Sequence, residues 1–290
     1  MPHDKDPEMN APSRDDTVRL GLIGDNIAAS QSPRLHELAG RLTGADVTYQ
    51  RLIPRERGQE FEQVFEAARD GGFRGLNITY PYKERVVSLV SIPDPHVAAL
   101  GACNTVLFTA DGPQGYNTDW SGFMAGYRRV MGDAAPGVVC MVGAGGVGKA
   151  VAFGLLALGM TELRLVERDL SKAEALARAL TAADPALKVS ATTDVAAGTA
   201  GAAGLINCTP VGMVGYEGTP IPADLVRGAE WAFDAVYTPV ETQFLRDAAA
   251  AGLRIISGYE LFFYQGLHAY ELFHGKPIAE DILREALTRL

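Results

Sequence analysis

Short apolar runs and longer amphipathic segments alternate along the first half of the chain. The apolar runs have the length of buried strands, and they cover 18–24, 46–53 and 73–79. The segments between them have helical spacing, and helices are predicted from Ser32, over 58–70 and from Pro81 to Val90. Residues 104–119 predict a hairpin that turns at Asp111 and Gly112. This pattern is typical of one small α/β domain.

The second half repeats strand and helix in stricter alternation. Strands are predicted over 138–142, 163–167, 187–192, 204–209, 231–236 and 253–257. Helices are predicted over 119–131, 150–158, 171–183, 241–252, 259–273 and 278–289. Strands separated by helix-length segments indicate a parallel, doubly wound sheet. The predicted fold class is therefore α/β, with a second domain of this type.

A glycine motif follows the first strand of the second half. Gly143, Gly145 and Gly148 have G-x-G-x-x-G spacing between strand 138–142 and an apolar helix. The first two glycines allow a tight turn and close approach to a pyrophosphate, and the third lets helix and strand pack closely. The helix N-terminus offers free N–H groups to phosphate. The motif predicts a dinucleotide site, although an ordinary glycine-rich turn would give the same three letters.

An acidic residue supports that prediction and bears on the choice of cofactor. Glu167 ends the second strand of this half, where a dinucleotide fold places the carboxylate that binds the adenine ribose. A carboxylate at that position repels a 2′-phosphate, which favours NAD. Arg168, the next residue, keeps NADP open as an alternative.

Composition and charge narrow the possible partners. The 290 residues are 47% hydrophobic and 21% charged, with a formal net charge of −9, which argues against nucleic acid or an anionic membrane as a partner. Residues 1–16 are polar and are predicted to be a disordered tail without a secretion signal. Three dispersed cysteines, no zinc spacing and no histidine cluster predict a cytoplasmic protein without a metal site.

Polar side chains that could bind a substrate gather at predicted strand ends of the first half. Ser30 and Ser32 flank one residue after the first strand, and two neighbouring hydroxyls can hold a carboxylate. Ser32 could instead be only a helix cap, whereas Ser30 has no such local use. Further candidates are Asn77, Thr79, Lys83, Asn104 and Asp119. Lys83, predicted in the first turn of a helix, could be a solvated lysine, and Asp119 could be a capping carboxylate.

Eight segments together carry a resemblance to a known family. From about residue 18 to the C-terminus the chain resembles the shikimate/quinate dehydrogenases. The matching segments are GLIGDNIAASQSPRLH, GLNITYPYKE, LGACNTV, GYNTDWSGF, GAGGVGKA, INCTPVGM, DAVYTPVETQFL and GYELFFYQG. Their order along the chain is that of the family, which makes the set far more specific than the glycine motif alone.

The resemblance implies a role for each candidate residue. Ser30 and Ser32 would bind the substrate carboxylate, and Lys83 and Asp119 would be the catalytic pair. Ring hydroxyls would be held by Asn77, Thr79, Asn104, Tyr237 and Gln265. The cofactor would be bound by Gly143, Ala144, Gly145, Gly146, Val147, Gly148, Glu167, Arg168, Thr209, Val211, Met213, Val236 and Gly258. The substrate would be a small polyhydroxylated cyclohexene or cyclohexane carboxylate.

The family fold also implies a discontinuous domain. Residues 17–118 with 258–290 would bind substrate, and 119–257 would bind NAD(P), with a cleft between them. The expected reaction is reversible hydride transfer that interconverts shikimate and 3-dehydroshikimate, or quinate and 3-dehydroquinate. Whether the chain is a monomer or a homodimer, and whether it works in biosynthesis or catabolism, stays open.

Three departures from the family pattern qualify these expectations. Ala29 stands where the family usually has His, and Asp25-Asn26 replaces a proline-containing turn, so the entrance to the site and the substrate preference are open. Glu167-Arg168-Asp169 replaces the Asn-Arg-Thr of NADP-using members, which resembles the NAD-using branch. Leu261 replaces a common Met, a swap of similar volume.

Other functions compatible with this sequence are a dehydrogenase for an aminoshikimate-type analogue, a non-catalytic dinucleotide sensor and a methylenetetrahydrofolate-type dehydrogenase. The intact Lys83 and Asp119 argue against a sensor. The paired serines and the Asn117-Thr118-Asp119 segment favour the shikimate family over the folate enzyme.

Overall fold

Two β-sheets, each covered by helices, make up the protein. The computed structural model describes residues 17–289, so the predicted tail over 1–16 lies outside the described residues. The α/β class predicted from the alternation of strands and helices is confirmed.

The first sheet has five strands and is mixed. Its strands and helices are β1 Val18–Ile23, α1 Ser32–Thr43, β2 Val47–Leu52, α2 Pro54–Arg57, α3 Phe61–Asp70, β3 Gly75–Ile78, α4 Pro95–Leu100, β4 Thr105–Thr109 and β5 Gly112–Tyr116. The strand order is β2-β1-β3-β4-β5, in which β1 pairs in parallel with β2 and β3, and the hairpin β4–β5 adds antiparallel strands. The predicted hairpin is thus confirmed.

The second sheet has six parallel strands. Its elements, with the helix that leads into it, are α5 Thr118–Met131, β6 Val138–Val142, α6 Gly146–Ala157, β7 Glu162–Val166, α7 Leu170–Ala183, β8 Lys188–Thr192, α8 Val195–Thr199, β9 Gly204–Asn207, β10 Trp231–Asp234, α9 Gln243–Ala250 and β11 Arg254–Ile256. The order β11-β10-β9-β6-β7-β8 is the doubly wound arrangement of dinucleotide-binding folds.

Each sheet has a point where the strand order reverses. In the second sheet this point lies between β6 and β9, and in the first it lies between β1 and β3. In open α/β sheets, ligands bind in the crevice beyond the carboxyl ends of the strands at such a point. The segments that follow β1, β3, β6 and β9 are therefore where a site is expected.

The last two helices, α10 Gly258–His274 and α11 Glu280–Thr288, pack back against the first domain. Both contact α1, and α10 lies along α5. The crossing of α5 and α10 is close because Gly122 and Gly126 lie at the contact. A methyl group on Gly122 would lie 2.7 Å from the backbone nitrogen of Gln265, whereas one on Gly126 would meet Glu260 Cβ at 3.2 Å.

Two local predictions in the first half are wrong. The segment from Pro81 to Val90 is not an α-helix, because residues 80–84 form turns and only Arg85–Leu89 is helical, as a 3-10 helix. The α1 helix begins at Ser32, but Gln31 occupies the N-cap and the Ser32 side chain makes no capping hydrogen bond. The short helices α2, α4 and α8 were not predicted, since four to six residues give too few positions for a period to be recognised.

Gly122→Ala is expected to destabilise the protein, although alanine is the better helix former. The added methyl group cannot be accommodated against backbone atoms of α10, and overpacking of this kind costs about 1–3 kcal/mol. Gly126→Ala, on the same helix face, has a side-chain carbon at 3.2 Å as its nearest contact and the nearest backbone atom at 3.8 Å, so it serves as the matched control. Urea unfolding measures both variants. Equal stability of the two would contradict the assigned role of Gly122.

Candidate active site

An ion pair lies between the two sheets. Lys83 Nζ donates to Asp119 Oδ2 at 2.7 Å, and the two side chains are only 14% and 9% exposed. Lys83 lies in the turn after β3, and Asp119 lies in the first turn of α5. Removing two charges from water is costly unless they pair, so the position of each group depends on the other.

Local structure explains why these two side chains point at each other. The Lys83 carbonyl accepts the backbone N–H of Cys103, which fixes the turn against the start of β4. Asn117, and not Asp119, caps α5, because its side chain accepts the N–H of Trp120 at 3.0 Å. Lys83 is therefore not a solvated surface lysine, and Asp119 is not a capping carboxylate. Lys83 also lies outside any helix, contrary to prediction.

The paired serines lie together after β1. The Ser30 and Ser32 hydroxyls are 3.2 Å apart, and Ser30 Oγ accepts the backbone N–H of Ser32 at 3.2 Å. The local roles expected of the two serines are therefore reversed. Ser30 makes the local hydrogen bond at the start of α1, and Ser32 does not cap the helix. Arg51, on β2, donates to the Ser30 carbonyl at 2.8 Å and fixes this turn.

The predicted asparagines are buried and linked by hydrogen bonds. Asn77 Nδ2 donates to Thr105 Oγ1 at 3.1 Å and to the Asn104 carbonyl at 3.4 Å. Asn104 Oδ1 accepts the backbone N–H of Thr118 at 2.7 Å, next to Asp119. Two predicted substrate residues are therefore connected to the first turn of α5, which carries the acidic member of the ion pair.

The glycine loop lies beside Lys83. An added methyl group on Gly146 would lie 3.8 Å from Lys83 Cδ, and one on Gly145 would have no described atom within 4 Å apart from those of the adjoining residues. The backbone at Gly145 is thus open for close approach by a ligand. Gly148 packs so closely on Gly143 that a methyl group would lie 2.5 Å from its carbonyl oxygen. Gly145 thus allows the close approach and Gly148 the close packing that the glycine motif predicts.

Glu167 is held against the same loop. Its Oε2 accepts the backbone N–H of Ala144 at 2.9 Å, and its Oε1 accepts that of Asp169 at 3.2 Å. Asp169 itself caps α7 by accepting the N–H of Ser171. The carboxylate of Glu167 is therefore fixed at the carboxyl end of β7, whereas Arg168 between the two acids is exposed.

A buried carboxylate organises the loop after β9. Asp234 is fully buried and accepts hydrogen bonds from Asn207 Nδ2 at 2.9 Å, Thr242 Oγ1 at 2.6 Å and the Val236 N–H at 2.9 Å. Asn207 Oδ1 in turn accepts Thr209 Oγ1 at 2.7 Å. Burial raises the pKa of Asp234 to about 6, because its three hydrogen bonds offset only part of the loss of water.

The loop built on this carboxylate faces the glycine motif. Asn207 Nδ2 also donates to the Val211 carbonyl at 3.0 Å, which fixes the next turn of the loop. A methyl group on Gly143 would lie 2.8 Å from Thr209 Cγ2, so Thr209 lines the crevice where the strand order reverses. Gly143 thus needs to be glycine for two reasons, this close approach and its φ of 98°.

The remaining predicted residues come from the segment between β10 and α10. The Tyr237 ring stacks on Phe262 with centroids 5.1 Å apart, and Gln265 Nε2 donates to the Phe262 carbonyl at 3.0 Å. Gly258 lies directly against the Val236 backbone, where no side chain would fit. These four predicted residues therefore form one group at the start of α10.

Some predicted residues are not joined to the others by polar side-chain contacts. Thr79, half-buried after β3, donates its backbone N–H to Ile23 and packs its methyl group against Gly24. Within residues 17–289, no hydrogen bond or ion pair connects Arg168 or Met213 with another predicted site residue, and the Met213 side chain is exposed.

Sequence reasoning missed the residues that hold the predicted ones in place. These are Tyr49 and Thr105 around Asn77, and Asn207, Asp234 and Thr242 around Thr209. An aspartate inside the apolar segment WAFDAV is a signal that could have indicated Asp234, because charged residues are almost never fully buried unless paired. Tyr49 gives no such signal, since an aromatic residue is ordinary in a strand.

Two further findings concern ligands and membranes. Over residues 17–289 there is no group of three or more His, Cys, Asp or Glu side chains arranged to hold a metal ion. The described helices include none that is long and apolar enough to cross a membrane. Cys103 and Cys140 are buried, and burial raises the pKa of both thiols to about 12, whereas Cys208 is only half-buried.

The fold and the site define a class of protein, a two-domain α/β protein with a dinucleotide-binding sheet facing a second domain that carries a Lys–Asp pair. Comparison with known proteins gives the same class. Residues 22–106 match the family model described as the shikimate dehydrogenase substrate binding domain. A quinate/shikimate dehydrogenase (NAD(+)) of Corynebacterium efficiens is 40% identical over 281 residues, which are 95% of this chain and 98% of that protein. The chain belongs to the shikimate/quinate dehydrogenase family.

Other relatives and structures show the range of that family. A shikimate dehydrogenase (NADP(+)) of Streptomyces avermitilis is 39% identical over 90% of this chain and 91% of its own. The quinate dehydrogenase from Corynebacterium glutamicum, solved in complex with NAD, aligns with a TM-score of 0.89 at 36% identity over 95% of this chain and all of that one. The shikimate 5-dehydrogenase from Listeria monocytogenes, solved with shikimate and NAD, aligns with a TM-score of 0.83 at 26% identity over 93% and 96% of the two chains.

The free energy of unfolding is expected to contain a pH-dependent contribution from Asp234. Its pKa is about 6 in the folded protein and 3.8 in an unfolded chain, so the folded state binds the proton more tightly. The resulting stability is full below pH 4 and is lost as pH rises through 6. The loss between pH 4 and pH 7 is about 2 kcal/mol.

Urea unfolding of the wild type and Asp234→Asn across that pH range measures this contribution. The variant has no group to titrate at this position, so the difference in free energy between the two proteins should fall as pH rises. A difference that is constant from pH 4 to pH 7 would show that Asp234 does not have a raised pKa.

Proposed function

We propose that this protein is an NAD-preferring shikimate/quinate dehydrogenase that interconverts a ring secondary alcohol and the corresponding ketone. The observation that carries the proposal is the buried Lys83–Asp119 pair, placed between the polar pocket of the first domain and the glycine loop of the second. A sensor without catalytic activity would have no use for a buried ion pair at this position, since an apolar pair of similar volume is usually no less stable.

Substrate binding is assigned to the polar groups at the carboxyl ends of β1 and β3. The neighbouring hydroxyls of Ser30 and Ser32 provide two donors for a carboxylate. Asn77, Thr79 and Asn104 are assigned to the ring hydroxyls, with Tyr237 and Gln265 contributing from the α10 side. In this binding mode the carboxylate would be at one end of the substrate and Lys83 at the other.

The residues of the second sheet fit a dinucleotide. The open backbone at Gly145 and the N-terminal turn of α6 suit a pyrophosphate, and Glu167 suits the ribose hydroxyls. Thr209, Val211, Met213, Val236 and Gly258 provide the nicotinamide side of the crevice. When bound, NAD supplies the chemistry of hydride acceptance from the carbon that bears the hydroxyl. The carboxylate at Glu167 is the reason to prefer NAD over NADP.

Lys83 is assigned the proton transfer. In reduction, the Lys83 ammonium donates a proton to the ketone oxygen, and in oxidation the neutral amine accepts the proton of the hydroxyl. Asp119 holds Nζ at 2.7 Å and so fixes the direction in which the amine points. The domain division that goes with this assignment is 17–118 with 258–290 for substrate and 119–257 for the dinucleotide.

Initial rates with shikimate and with quinate, each with NAD and with NADP, test the proposed function. We expect turnover of at least one of the two acids, faster with NAD than with NADP, measured by the absorbance of the reduced nicotinamide. Faster turnover with NADP would show that Arg168 outweighs Glu167. Absence of turnover in all four combinations, with the protein folded, would overturn the proposed function.

Glu167→Ala is expected to weaken the preference for NAD. The variant loses the ribose acceptor and the charge that repels a 2′-phosphate, so KM should rise for NAD and fall for NADP, changing the ratio of kcat/KM at least tenfold. Asp169→Asn is the matched control, because it removes the neighbouring charge and keeps a capping side chain on α7. The prediction fails if both variants change the ratio equally.

A further inference from the structure

The first domain contains a buried tyrosine that the proposed function does not use. Tyr49 lies on β2, is 8% exposed and donates its hydroxyl to Asn77 Oδ1 at 2.9 Å. Asn77 lies on β3, two strands away in the sheet, so the bond passes across β1. A long side chain is needed for this contact, and tyrosine places one hydroxyl there at the cost of only two side-chain torsions.

The partners of Asn77 leave its amide only one orientation. The Asn104 carbonyl can only accept a hydrogen bond, so Nδ2 must face it, at 3.4 Å. Oδ1 then faces Tyr49, whose hydroxyl is the donor that it needs. Tyr49 is thus a donor to Oδ1, and a flipped amide would direct its oxygen at the Asn104 carbonyl. Tyr49 therefore supplies the donor that holds Asn77 in this orientation.

The tyrosine ring is itself fixed in place. It stacks on the His36 ring with centroids 4.9 Å apart and planes 17° apart. Burial lowers the pKa of His36 to about 3, so this ring is neutral across the working range of pH. Burial raises the pKa of the Tyr49 hydroxyl, so this group stays protonated and can donate to Asn77.

We propose that Tyr49 is a positioning residue that orients Asn77 as a hydrogen-bond donor to a ring hydroxyl of the substrate. The proposal rests on the proposed function, since Asn77 is one of its assigned substrate residues. The contact to the Asn104 carbonyl, the longest that Asn77 makes, is the one that a substrate hydroxyl can replace.

Tyr49→Phe tests the proposal, because it keeps the stacked ring and removes only the hydroxyl. We expect KM for the acid substrate to rise about tenfold, with kcat within threefold of wild type and KM for NAD unchanged. This split is expected because Asn77 binds the substrate before and during the reaction alike, so its misorientation weakens uniform binding.

Tyr270→Phe is the matched control. Tyr270 is as deeply buried, its ring lies 6.2 Å from the same His36 ring, and its hydroxyl pairs with Thr43, away from the pocket. Loss of that hydroxyl should leave both kinetic constants unchanged. If Tyr49→Phe behaves like Tyr270→Phe, or if both variants raise KM equally, Tyr49 has only a structural role and the proposal is overturned.

A double substitution tests whether Tyr49 acts on KM through Asn77. In an Asn77→Ala background, Tyr49→Phe should raise KM no further, because the amide that it orients is gone. The same tenfold rise in that background would overturn the proposal, since Tyr49 would then act without Asn77. An inactive wild type would overturn the proposed function and this inference with it, whereas an active wild type with an unchanged Tyr49→Phe variant overturns this inference alone.

Discussion

The ion pair between Lys83 and Asp119 is the interaction on which the rest of the site depends. It connects the turn after β3 with the first turn of α5, and neither charge has much access to water. A buried charge that loses its partner costs several kcal/mol, so both backbone segments must keep the two side chains within hydrogen-bonding distance. The cap at Asn117 and the hydrogen bond between Cys103 and Lys83 do this locally.

Longer-range packing keeps the same pair in register with the two domains. The α5 helix that carries Asp119 lies against α10 through Gly122, and α10 returns to the first domain through α1. Lys83 lies beside Gly146 at the start of α6, and its neighbour Glu84 pairs with Lys149 on the same helix. That second pair is more exposed and contributes little energy, but it shows that the two domains face each other at the pair.

Each domain supports its part of the site with a buried polar network. In the first, hydrogen bonds run from Tyr49 through Asn77 and Thr105 to Thr118. In the second, Asp234 holds the loop that contains Thr209. Buried polar groups cost free energy unless every donor and acceptor is paired, and a fully paired network accepts few alternative arrangements. The requirement that every donor and acceptor be paired therefore also leaves the pocket few alternative conformations.

The sequence predicted those parts of the fold and site that depend on local patterns. The strand before Gly143 and the strand before Glu167 lie within one residue of prediction, because apolar runs and glycine spacing are local signals. The prediction was wrong for the structure around Lys83 and for the cap at Ser32. Those two features depend on contacts with Cys103, just before β4, and with Ser30, which no periodicity records. The roles of Tyr49 and Gly122 were not predicted for the same reason, because their contact partners lie 28 and more than 100 residues away along the chain.

The central claim is that Lys83 and Asp119 act as one unit in proton transfer. The most direct test compares kcat for Lys83→Met, Asp119→Asn and the double variant with the wild type, with folding checked by circular dichroism. We expect each single substitution to lower kcat by about 10²-fold or more, and the double variant to be no slower than Lys83→Met. Single effects that multiply in the double variant would show that the two residues act independently, and would contradict the account.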